Sequence, residues 1–323
     1  MDFLQKNIDS GLYSAYQYAS FKNGAFSCGC DGTFDFDSTG KINDSTQFDL
    51  ASLTKAMVTV PLFYDLFSSR KFSENEKISR FFSGFKGDIT ILELLSHTSG
   101  FPVWLPFYEL VPAEKSLEER KKEVTKIIFE HKTADKTKCY SDLNYILLGF
   151  ILEKFFSLPI DDVFENFMKN NNLNFNLTFS PREKTPKTAF SKLRGAFPER
   201  EVEDENSCFL GGITGHAGLF GSALDVVRYF ENLLKTSWFV PIARKLDFAG
   251  FDRPEGKDSN YGKYAKERYF GHLGFTGTAF LIDPETTTIA ALLTNSTHPT
   301  PDKPERKERI KRVRQQFFDT LFL

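Results

Sequence analysis

The chain predicts an α+β fold, with one antiparallel sheet built from both chain ends, flanked by helices, and a mainly helical lobe inserted between them. Three observations lead there. Strand-type runs open the chain on either side of Lys22-Asn23-Gly24, and Asn-Gly is a strong hairpin signal. Further β-type runs at residues 269–274, 278–282 and 288–294 close it in meander order, divided by Gly277 and by Asp283-Pro284-Glu285. Between these ends, apolar residues recur mostly at helical spacing.

The elements follow in order. Residues 2–10 form a short amphipathic helix ending at Gly11, and residues 13–21 and 25–30 are the first antiparallel pair. A polar, turn-rich connection over residues 31–46 leads to Phe48. From Ser52 to about residue 67 Leu53, Met57, Val60 and Tyr64 lie on one stripe, with a kink expected at Pro61. Residues 89–95 are helical and end at Ser96-His97-Thr98-Ser99-Gly100, where His97 reads as structural. Residues 117–129 form a charged amphipathic helix. Tyr140-Ser141-Asp142 stands at the mouth of a buried helix running into residues 145–152. Residues 160–210 read as short helices and long loops over one side of a cleft, and residues 225–234 as a helix. A terminal helix at about residues 304–321 carries basic residues early, read as a solvated face, and Phe317, Phe318 and Leu321 late. The expected lobes are residues 1–56 with 266–323 for the sheet, and 57–265 for helices and loops, within one unit of 323 residues.

Composition narrows the function. Folding at this length buries roughly three quarters of the accessible surface, and the 36 phenylalanines can fill the core. Forty-one basic residues against 43 acidic ones give a net charge of −2, so no global positive field draws the chain to nucleic acid or anionic lipid. The N-terminal residues have no apolar signal segment, and no apolar run approaches the ~20 residues that span a bilayer, so the expectation is a cytoplasmic protein without membrane contact. Cys28, Cys30, Cys139 and Cys208 form no C-x-x-C pair, which favours reduced thiols over a zinc site. No metal or cofactor is expected, and the oligomeric state stays open.

The chemistry centres on Ser52-Leu53-Thr54-Lys55. On a helix this spacing places Ser52 and Lys55 almost one turn apart on one face. The lysine then lies close to a hydroxyl that is a poor nucleophile until a neighbouring base takes its proton. Ser38, Ser68 and Ser83 also have a lysine three residues on. Ser52 differs in sitting at a helix start, where free N–H groups and the helix dipole favour a developing negative charge, although a serine there can also be a plain N-cap.

Read together and in order, Ser52-Leu53-Thr54-Lys55, Tyr140-Ser141-Asp142 and His272-Leu273-Gly274 resemble the motif set of the penicillin-recognising serine hydrolases, the family of class C β-lactamases, D-alanyl-D-alanine carboxypeptidases and related esterases. The Leu94-Leu95-Ser96-His97-Thr98-Ser99-Gly100 block lies between, and the resemblance covers nearly the whole chain. It implies a β-lactamase-like fold and a Ser52 acyl-enzyme, formed on an amide or ester without a metal. Lys55 and Tyr140 would share the proton work, and as a coupled pair either can be the base. The oxyanion hole would be the backbone N–H groups of Ser52 and Phe275, with His272, Leu273 and Gly274 along the substrate.

The sequence departs from the family pattern twice. Asp142 stands where the family usually has Asn, replacing a donor amide by a carboxylate that would hold Lys55 protonated and oppose a Tyr140 phenolate. Leu273 stands where Thr offers a hydroxyl to the carboxylate of penicillins and D-Ala-D-Ala peptides, which argues against efficient turnover of those substrates. Asp204-Glu205-Asn206 and Gly215-His216-Ala217-Gly218 resemble a subset that includes muramyl-peptide amidases of cell-wall recycling. Asp204, Asn206 and His216 are thus candidates either for substrate contact, as is Asp142, or for fixing the loop. The expected substrate is a small molecule or a muropeptide-like peptide. The competing reading, motivated by Asp142 and Leu273, is a catalytically weak ligand sensor or partner-binding protein on the same fold.

Overall fold

Asn23 (φ 53°) and Gly24 (φ 78°) both adopt left-handed backbone, the conformation that a two-residue hairpin turn requires. In the computed structural model, which describes residues 1–133, 135–173, 175–256 and 258–323, this turn joins β1 (Ala15–Lys22) to β2 (Ala25–Gly32) after the short helix α1 (Asp2–Asp9). A short strand β3 (Phe48–Asp49) leads to Ser52. The following helix opens with a wide π turn, Lys55–Thr59, and continues as α2 (Val60–Ser68). The expected disturbance at Pro61 takes this form for a clear reason. Proline has no N–H to give the Met57 carbonyl four residues back, and the Tyr229 hydroxyl donates to that oxygen instead, at 2.7 Å.

The inserted part comprises α3 (Ile91–Leu95), α4 (Phe107–Leu110), α5 (Leu117–Glu130), α6 (Asp142–Phe156), α7 (Ile160–Asn170), α8 (Glu205–Phe209), the short strand β4 (Phe220–Gly221), α9 (Ala223–Leu233) and α10 (Phe239–Lys245). Thr90, Ser116 and Ser222 close reciprocal capping boxes at the starts of α3, α5 and α9. The helix α6 is apolar all round and buried from Leu143 to Leu152, so it forms the axis of the helical part. The chain ends with β5 (Phe270–Leu273), β6 (Ala279–Asp283), β7 (Thr288–Thr294) and α11 (Arg306–Leu321).

The main sheet has the order β2-β1-β7-β6-β5 and is antiparallel throughout, so the N-terminal hairpin pairs with the last strand. Alternation on β7 shows how both faces are covered. Ile289, Ala291 and Leu293 face the large core, while Ala290 and Leu292 join Leu4, Ile310, Val313, Phe317 and Phe318 beneath α1 and α11. The sheet and the inserted residues 57–265 are not fully separate layers, because α9 packs on β1 and β7. Among the described residues, no single helix is long and apolar enough to cross a membrane.

One expectation needs correcting. The basic face of the terminal helix is not wholly solvated: Arg306 and Arg314 are buried, only 5% and 7% exposed. They share a face with Ile310, Val313 and Phe317, and their guanidinium groups find backbone carbonyls inside the fold.

Candidate active site

Strand pairing sets the position of Ser52. Phe48 and Asp49 pair with Gly221 and Phe220, and the Leu50 N–H donates to Leu219 O at 3.0 Å. Ala51 then takes a left-handed φ of 49°, rare for a residue with a β-carbon, and its N–H donates to Asp49 Oδ1 at 2.8 Å. The helix begins directly after Ser52, as the S-x-x-K spacing requires.

Lys55 is fully buried, and its ammonium meets three oxygens. Nζ donates to Ser52 Oγ at 2.8 Å and to His216 O at 3.2 Å, and it pairs with Asp142 Oδ1 at 2.8 Å. The Tyr140 ring lies 5.0 Å from the same nitrogen. Burial would pull the lysine pKa down, but the Asp142 carboxylate and the Tyr140 phenol outweigh it and raise it above its ordinary value. Tyr140 is also raised: although 39% of the residue stays exposed, desolvation of the phenol and Asp142 push it up, and Lys55 recovers only part of the shift. The resting site therefore holds an ammonium, a neutral phenol and a neutral serine around one carboxylate.

Tyr140 is gripped through its backbone by His97. The Cys139 N–H donates to His97 O at 2.9 Å, the Ser141 N–H donates to His97 Nδ1 at 3.0 Å, and the His97 and Tyr140 rings lie 4.7 Å apart. Burial and Lys55 hold His97 well below its usual pKa, which keeps Nδ1 free to accept. The structural reading of His97 thus has a specific content: it positions Tyr140.

The late strand supplies the opposite wall. Among the described residues, neither the Ser52 N–H nor the Phe275 N–H has a hydrogen-bond acceptor in the protein. The turn carrying Phe275 is fastened to the strand leading into Ser52, because Thr276 Oγ1 donates to Asp49 O at 3.0 Å and Thr278 Oγ1 to Leu50 O at 3.1 Å. Gly274 is required there: a β-carbon would stand 1.9 Å from Thr278 Oγ1 and 2.9 Å from Leu50 O. Buried His272 has Nδ1 2.8 Å from Leu273 O; a carbonyl can only accept, so Nδ1 carries the proton and Nε2 is left as an acceptor. Burial and Lys55 lower its pKa, so at neutral pH His272 offers no charge.

The glycine-rich segment braces the lysine. Asn206 is buried, with Oδ1 accepting from Phe107 N at 2.9 Å and Nδ2 donating to Leu105 O at 2.8 Å. His216 is buried between Asp204 Oδ1 at 3.0 Å and Thr214 Oγ1 at 2.9 Å. Of the two roles open to Asn206 and His216, fixing the loop is the one these bonds perform, while Asp204 remains partly exposed.

Sequence reasoning missed Asp49 and Glu203. Burial pushes the Asp49 carboxyl up to about 6 and the Glu203 carboxyl up to about 8, each with a further push from a neighbouring carboxylate. It also missed Arg306 and Arg314, although their place on the apolar stripe of the terminal helix was a usable signal.

The beta-lactamase family model matches residues 15–315, and the chain belongs to that family of serine hydrolases. An N-acetylmuramyl-L-alanine amidase of Bacillus subtilis (strain 168) is 32% identical over 308 residues, covering 80% of this chain and 70% of the amidase. Two solved structures share the fold at lower identity. A beta-lactamase/D-alanine carboxypeptidase from Pseudomonas syringae superposes with a TM-score of 0.69 at 15% identity, covering 96% of each chain. The octameric penicillin-binding protein homologue from Pyrococcus abyssi gives 0.70 at 18% identity, covering 93% of this chain and 73% of the other.

Proposed function

We propose that this enzyme cleaves an amide bond in peptidoglycan-derived peptides through an acyl-enzyme on Ser52. The observation that carries the reading is the Lys55 Nζ contact to Ser52 Oγ at 2.8 Å, beside two backbone N–H groups that have no acceptor among the described residues. Ser52 Oγ attacks the scissile carbonyl carbon, and its proton passes to the Lys55–Tyr140 pair. The resulting oxyanion accepts from the Ser52 and Phe275 N–H groups, a donor arrangement worth ~10²- to 10³-fold in rate per donor. Collapse expels the amine, which takes a proton back from the pair. Water then hydrolyses the ester by the reverse proton path.

Because both members of the pair are protonated at rest, the active form has lost one proton from it. Activity should therefore rise with pH through an ionisation that belongs to Lys55 and Tyr140 jointly. The amide assignment draws on the relative named as an N-acetylmuramyl-L-alanine amidase. Leu273 and uncharged His272 argue against penicillins as the substrate, by withholding the hydroxyl and cation that would grip a penicillin carboxylate. The experiment is a turnover panel of N-acetylmuramyl-L-alanyl peptides, p-nitrophenyl esters and nitrocefin. Fastest kcat/KM on the muramyl peptides is expected, and efficient nitrocefin hydrolysis with inert muropeptides would refute the substrate assignment.

A further inference from the structure

The two buried arginines of α11 converge on the turn that carries Phe275. Arg314 Nη2 donates to Gly274 O at 2.8 Å and to Thr278 O at 3.0 Å. Arg306 Nε donates to Ser296 O at 3.1 Å, its Nη2 donates to Phe275 O, and its guanidinium lies 5.1 Å from the Phe275 ring centroid. Gly274 C=O and Phe275 N–H belong to one planar trans peptide, so they point in opposite directions. A donor that pulls on the carbonyl on the α11 side therefore acts on the N–H on the other.

We infer that Arg314 is a positioning residue for the oxyanion hole: it orients and polarises the Gly274–Phe275 peptide, so that the Phe275 N–H is a stronger and better-aimed donor to the reacting carbonyl oxygen. Withdrawal of electron density from a peptide oxygen makes the attached N–H more positive, because hydrogen bonds in a chain strengthen one another. Arg306 fixes the next carbonyl and sets the plane of the turn.

The use of a charge here calls for a reason. Among the described residues, no carboxylate comes within 4.0 Å of Arg314, whose bonds go to carbonyls alone. Burial pushes its pKa down, to about 10, so it stays cationic at neutrality. A neutral amide would close the same turn without the cost of burying a cation. What the cation adds is a positive field behind the peptide that must meet a developing negative charge.

The inference rests on the reading of Phe275 N–H as an oxyanion donor. Its test uses Arg314→Gln and Arg314→Lys in the full chain, each checked for folding by circular dichroism and thermal melting. The acyl-enzyme from an aryl ester with an isotope-labelled carbonyl is observed by rapid-mixing infrared spectroscopy. Arg314→Gln is expected to lose on the order of 10- to 100-fold in kcat with KM nearly unchanged. Its acyl carbonyl band should move to higher wavenumber, reporting a weaker hydrogen bond to the oxygen. Arg314→Lys, which retains the cation, should fall between wild type and Arg314→Gln, and should be displaced from wild type in the same direction if the glutamine variant does not fold. A folded variant that acylates Ser52 with wild-type kcat and an unmoved band would overturn the inference alone. A wild-type enzyme that does not acylate at Ser52 would remove both the inference and the reading beneath it.

Discussion

Asp142 sets the charge balance around Lys55 and Tyr140, the proposed catalytic pair. Its carboxylate, 2.8 Å from Lys55 Nζ, stabilises the ammonium and opposes a Tyr140 phenolate. Asp142→Asn removes a negative charge that favours retaining the proton, so the pair should lose it more readily. The acid limb of the kcat/KM profile should move to lower pH by about one unit, the scale of a neighbouring charge effect. A pH titration of ester turnover by the two proteins measures this, and a shift to higher pH would show that Asp142 acts in the opposite sense. The sequence already showed the direction of the Asp142 effect on Lys55. It did not show that His216 O would occupy another of the lysine's protons, because that bond spans 161 positions in the chain.

At the scale of elements, the proposed oxyanion hole would be made by two segments clasped together, and the clasp depends on Gly274. Gly274→Ala would drive a β-carbon against Thr278 Oγ1 and Leu50 O. The turn must retreat from the strand before Ser52, and misplacement of about 1 Å costs on the order of 10²-fold. Steady-state kinetics should show kcat reduced by about that factor with the fold retained in circular dichroism; wild-type kcat would mean that the turn is not part of the reaction. Local signals made most elements legible: the Asn23-Gly24 hairpin, the stripes of α5 and α9, and the terminal meander all stand where residue spacing puts them. Periodicity could not reveal the π turn at Lys55–Thr59, which arises where a proline-freed carbonyl meets the hydroxyl of Tyr229, far away in sequence. Nor could it name the carbonyls that receive Arg306 and Arg314, since these lie on other segments of the chain.

For the whole molecule, the chain ends close one sheet, and the inserted segment brings Tyr140 within 6.1 Å of the His272 ring on its edge strand and the His216 carbonyl to Lys55. The motif order made that assembly readable before any coordinates, because three short motifs spaced across the chain had to meet for the chemistry to work. The electrostatic cost of the junction was not readable. Glu203 stands there half-buried, accepting from Thr297 Oγ1 at 2.7 Å and facing the Asp49 charge, and desolvation lifts its folded pKa to about 8, above the ordinary carboxyl value of 4.5. The folded state thus holds a proton that the unfolded state releases, so the contribution is fully present below about pH 4.5 and is lost as pH rises through about 8. Urea unfolding across this window should show stability from this group declining with pH, and Glu203→Gln should flatten that decline. An unchanged slope in Glu203→Gln would show that Glu203 does not carry it.

The central claim is that Ser52, activated beside Lys55 and Tyr140, is the nucleophile. Peptide mapping by mass spectrometry after treatment with a fluorophosphonate tests it most directly. A single adduct on Ser52 is predicted, absent from Ser52→Ala, together with a loss of turnover on the order of 10⁶-fold in that variant. An adduct on another residue, or Ser52→Ala labelled and active like the wild type, would contradict the account.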